Sequence, residues 1–95
     1  MSTPCPRLGF LLRVVLHPET GPRDVIRLRE SFAAWAREEG FEYRVVGTIR
    51  HWAYPVWRAG SAAVDADRYA VREWFRAHAE VDRVDPGPIV DLDES

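Results

Sequence analysis

The side chains of this chain that could do chemistry at neutral pH are three histidines, one cysteine and a short aromatic run. His17 stands before Pro18, His51 beside Trp52, and His78 near the end of a helical repeat. An imidazole can act as acid or base near neutral pH. No histidine has a second ligand-type residue at metal-binding spacing, and Cys5 stands alone, so no metal site is expected. His51 is the one weak catalytic candidate. Trp52, Tyr54 and Trp57 follow it and could line an aromatic small-molecule pocket. His17 reads as a solvated loop residue, and His78 as a cation favoured at the negative end of a helix. Cys5 reads as a tolerated residue of a Pro-flanked arm; a lone thiol suits a reducing compartment. There is no phosphate-cradling glycine loop, nucleophile elbow or paired-carboxylate pattern. No cofactor is expected, and an enzyme is the less favoured reading.

Charge gives a second set of candidates. The net charge is −2, so bulk electrostatics do not draw the chain to nucleic acid, and no DNA partner is expected. All 13 basic residues are arginine. Each guanidinium can grip a phosphate or carboxylate with two hydrogen bonds, or stack on a ring. Arg13, Arg44, Arg50 and Arg58, with Trp52, Tyr54 and Trp57, form the candidate binding set. Arginines and aromatics on an open sheet can hold phosphates and stack bases. They also suit a protein partner or a second copy, because apolar patches are seldom left in water. The aromatic pattern of an RNA-recognition motif on the third strand is absent.

These residues need a scaffold. A chain of 95 residues with 46% hydrophobic and 29% charged residues makes one α+β domain, spanning 1–95. Residues 1–7 and 93–95 are expected to be flexible. Alternation predicts a strand over Leu8–His17, with Phe10, Leu12, Val14 and Leu16 on one face. Pro22 and Gly40 bracket a helix, Pro22–Glu39, whose stripe is Val25, Leu28, Phe32, Trp35 and Ala36. Arg27 and Glu30 are placed to pair across one turn. Strands follow over Phe41–Val46 and His51–Ala59, the second containing Pro55, which cannot donate a ladder bond. Either Trp52, Tyr54, Val56 and Arg58 or His51, Ala53 and Trp57 face outward. A second helix, Asp65–Ala79, has Asp65 as its expected N-cap. A last strand, Val81–Leu92, has its prolines at a sheet edge.

The order β-α-β-β-α-β implies a ferredoxin-like sandwich: a four-stranded antiparallel sheet with two helices on one face. The open face would carry Leu11, Arg13, Val15, Arg44 and Val46. The short apolar runs cannot span a membrane, and the N-terminus lacks the apolar core of a signal peptide, so a cytoplasmic location is expected.

Within Asp67–Asp91 stand Asp67-Arg68, Val71, Trp74, Phe75, Glu80-Val81 and Gly87-Pro88-Ile89-Val90-Asp91. This pattern resembles the YggL-type family of small 50S-ribosome-binding proteins over about a quarter of the chain. That family's basic N-terminal arm and glycine run are missing; Arg7 alone stands where the arm would be. The resemblance implies a non-enzymatic protein that contacts the large ribosomal subunit or another RNA–protein assembly. The residues also leave open a dimerisation or protein-interaction module on the open sheet face, and a small-molecule protein using the Trp52–Trp57 aromatics.

Overall fold

A computed structural model of the chain describes residues 7–93. Cys5, the rest of the proposed flexible arm through residue 6, and residues 94–95 lie outside the described residues. The elements run β1 (Leu8–Leu16), α1 (Pro22–Glu39), β2 (Phe41–Tyr43), β3 (Val46–Gly47), β4 (His51–Arg58), α2 (Asp65–Arg76), β5 (Val81–Pro86) and β6 (Val90–Asp91).

The first helix has the expected bounds. Its stripe buries Val25, Leu28, Phe32 and Ala36. Gly40 ends it in the left-handed conformation, and its N–H reaches the carbonyls of Ala36 and Arg37. Arg27 lies 3.6 Å from Asp24, and among the described residues it forms no ion pair with Glu30. The second helix stops at Arg76, three residues short of the expected end. No glycine marks that stop; a tight turn closes it, with the His78 N–H on the Phe75 carbonyl at 3.0 Å. Its N-cap is Val64 rather than Asp65. The Asp67 carboxylate reaches back to accept the Val64 N–H at 2.9 Å, which is half of a capping box.

The sheet is antiparallel and has six strands, not the expected four. Its main path is β2-β4-β1-β5, with β3 added to β4 and β6 to β1. Proline explains the extra divisions. Pro55 sits in the interior strand β4, opposite Leu11 on one side. On the other side the Arg44 N–H donates to the Pro55 carbonyl at 3.2 Å. The return bond cannot form, because Pro55 has no N–H. The ladder breaks there, and the expected strand Phe41–Val46 becomes β2 and β3. Likewise Pro86-Gly87-Pro88 divides the last strand into β5 and β6. The Gly87 N–H still donates to the Leu11 carbonyl at 2.9 Å.

One face of the sheet holds the core. Phe10, Leu12, Val14 and Leu16 of β1 meet Trp52, Tyr54 and Val56 of β4 and Phe41 of β2. Phe32 of α1 lies 5.2 Å from Tyr54, and Phe75 of α2 lies 6.1 Å from the same ring. Both helices therefore cover this face. Phe32 and Phe75 also touch each other, at 4.8 Å between ring centres. Tilted aromatic pairs of this kind contribute about 0.5–1.5 kcal/mol each beyond simple burial.

Candidate interaction surface

Strand side chains alternate, and both described helices fill one face, so neither covers the other. Register places Glu42, Trp57, Gly9 and Val90 in one row across this open face. Pro55 and Leu11 form the next row, and Val46, Ala53, Arg13 and Asp85 the third. His51, Val15 and Arg83 form the fourth. Leu11, Val15, Ala53, Pro55 and Trp57 on this face are half-buried. Val46 and Val90 are 58% and 44% exposed. Gly9 is a place of close approach. A Cβ there would lie 2.1 Å from the Val56 carbonyl oxygen and 2.7 Å from Leu92 Cδ1. Above it, Trp57 is fixed by Arg7 stacked at 4.7 Å and by its own indole N–H donating to Glu42 at 2.7 Å.

The sequence candidates separate across the sheet. Arg13 and Trp57 lie on the open face, and Arg44, opposite Pro55, is exposed at its edge. Trp52 and Tyr54 point the other way, 2% and 1% exposed in the core. They share no pocket with Trp57. Burial pushes the phenol of Tyr54 well up from its ordinary value, and that of Tyr43 up as well. Arg50 is spent on structure: its Nε and Nη2 donate to the Thr20 carbonyl at 3.1 and 2.9 Å.

Arg58 is also on the helix side. Nε and Nη2 donate to Asp67 at 3.0 and 2.6 Å, and Nη1 donates to the Glu39 carbonyl at 2.6 Å. The guanidinium also stacks on Phe41 at 4.4 Å. Burial tends to raise the Asp67 carboxyl, but the Arg58 hydrogen bonds, the Val64 N–H and the Arg58 charge outweigh it. The carboxyl is held below the usual carboxylate range.

The histidines are scattered. His51 is exposed beside a cleft formed by Leu16, Pro18, Thr48, Ile49 and Arg50. His17 lies 3.7 Å from Asp82. His78 stacks on Trp74 at 4.2 Å, and its Nδ1 meets the Trp74 carbonyl at 2.8 Å. A larger open cleft of about 630 Å³ lies beside β2 and includes Arg37, Tyr43 and Arg44. Among the described residues no three His, Cys, Asp or Glu side chains are grouped to hold a metal ion. No described helix is long and apolar enough to cross a membrane.

Sequence reasoning gave no role to Arg83 or Asp85, and placed Arg68 only within the resembling pattern. The first two join the open face because a bulge between Val15 and Leu16 shifts the β5 register. Their spacing from Val81 and Val84 hides the two-residue period. Arg68 holds the proline kink, donating to the carbonyls of Gly87 and Pro86 at 2.7 and 3.2 Å. Compared with protein-family models, with curated proteins and with solved structures, the chain finds no match.

Proposed function

We propose that this chain is a non-enzymatic interaction domain of ferredoxin-like architecture, which binds a macromolecular partner through its open sheet face. The observation that carries this reading is the apolar band of Leu11, Val15, Ala53, Pro55 and Trp57, half-buried and covered by neither described helix, with the exposed Val46 and Val90 at its edges. Partly exposed apolar side chains grouped on one face in this way suit a contact site. The architecture is supported by strand order. Taken as proline-broken edge strands, β2 with β3 and β5 with β6 reduce the sheet to four strands, in the order second, third, first, fourth. A photo-crosslinking residue at Val46, compared with one at Arg27 on the wet side of α1, tests the reading in cells. Discrete adducts are expected from Val46 and none from Arg27. Silence at Val46, or equal adducts at both, would overturn it.

A second reading is contact with the large ribosomal subunit, as the resemblance to the YggL-type family implies. Two observations favour it. Arg13, Arg44 and Arg83 are exposed on or beside the same face. Within the resembling segment, Arg68 touches Gly87, so these two matching residues work as a pair. Co-sedimentation with 50S particles, weakening as salt rises, is the expected result. Absence from that fraction at low salt would remove this reading while leaving the first intact.

A further inference from the structure

We infer that the occupant of the open sheet face is a second copy of this chain, packed face to face about a two-fold axis. The inference rests on the reading of that face as a contact surface. In a two-fold interface one patch meets itself, so a patch of single-sign charge repels its own image. This face mixes signs. Arg13 stands in register beside Asp85, and Arg83 and Val15 occupy the next paired positions. Glu42 lies at the opposite edge, two residues from Arg44. Among the described residues none of Arg13, Arg44, Arg83, Glu42 and Asp85 takes part in an ion pair. Opposite charges left unpaired around an apolar centre are what an identical partner can satisfy. A polyanion such as RNA would meet the carboxylates of Glu42 and Asp85 among the arginines.

Size sets the class of contact. Four strands about 4.8 Å apart and a β1 rising about 3.4 Å per residue bound the face at roughly 19 by 30 Å, since the flanking strands are shorter than β1. That is below the about 800 Å² per partner of a standard interface and suits a concentration-dependent dimer. Leu11, Val15, Ala53, Pro55 and Trp57 lie on the two interior strands; Glu42, Arg83 and Asp85 lie on the flanking strands, Arg44 lies between β2 and β3, and Arg13 stands within the band.

Sedimentation equilibrium of the full chain, run together with tryptophan emission, tests the inference. The expected result is a doubling of mass with rising concentration. It should be accompanied by a blue shift that Trp57→Phe abolishes, because Trp57 alone of the tryptophans lies on this face. Arg13→Glu and Leu11→Asp should each raise the dimer dissociation constant at least tenfold. Circular dichroism confirms that each variant is folded. If Leu11→Asp unfolds the chain, Val46→Asp replaces it. A monomer at every concentration would overturn the dimer, as would a dimer indifferent to these substitutions. In either case Val46 crosslinks to another molecule would keep the interaction-face reading alive, and their absence would remove both.

Discussion

Arg58 of β4 and Asp67 of α2 form an ion pair in which Nε and Nη2 both donate to one carboxylate oxygen, at 3.0 and 2.6 Å. The same guanidinium takes the Glu39 carbonyl at the end of α1, while the same carboxylate takes the Val64 N–H at the start of α2. One pair thus ties a positive helix end, a negative helix end and the sheet together. It also sets a cation beside Glu39 at the negative end of α1, where an acid is otherwise unfavourable. Asp67 is only 4% exposed, so its charge depends on this partner.

Arg58→Met therefore strands a buried carboxylate. The expected loss is about 2–3 kcal/mol, below that of a fully buried pair because the Arg58 head is partly solvated. In a domain of this size that lowers the melting temperature by roughly 10–20 °C. Calorimetry of Arg58→Met, Asp67→Asn and the double variant measures the coupling. Additive losses would show that the pair does not act as a unit.

The pair also sets an acid dependence. The Asp67 carboxyl is lower in the folded chain than in the unfolded one, so the folded state favours its ionised form. Its stabilisation is complete above the unfolded value of about 3.9 and fades as pH falls toward the lowered folded value. Urea midpoints measured downward from about pH 5 should fall more steeply for the natural chain than for Asp67→Asn. Parallel curves would assign the acid loss to other carboxylates.

Local signals made much of the architecture legible. Pro22, Gly40 and the stripe through Phe32 gave α1 its observed bounds, because both ends carry backbone chemistry that few other residues share. Alternation gave β1 to within one residue. What stayed hidden were relations between distant residues. Which side of β4 faced the helices depends on its register with β1, and its even and odd sets are both apolar enough to be core. Arg58 has no local mark separating it from Arg13; only the arrival of α2 makes it structural. Pro55 was visible as a difficulty, but its effect fell on the partner strand, where Arg44 lies.

Replacing Pro55 should mend that ladder. Pro55→Val supplies the missing N–H toward Arg44, adding one backbone hydrogen bond worth about 1 kcal/mol net. Hydrogen exchange should find the amide introduced by this substitution protected, along with stronger protection across Val45 and Val46. An unprotected amide in a folded variant would show that something other than the missing donor divides β2 from β3.

Two glycines should respond in opposite directions. Gly9→Ala places a methyl 2.1 Å from the Val56 carbonyl, a backbone atom that cannot move without parting β1 from β4. Overpacking of this kind costs about 1–3 kcal/mol. Gly21, at the N-cap of α1, has φ −75°, and a Cβ added there would meet nothing within 4 Å. Gly21→Ser adds a hydroxyl that can accept from the first turn, a gain of a few tenths to about 0.5 kcal/mol. Urea denaturation of both variants reads the signs. Equal tolerance at the two sites would mean that β1 and β4 are not locked together at Gly9, and the row that positions Trp57 would lose its rigid base.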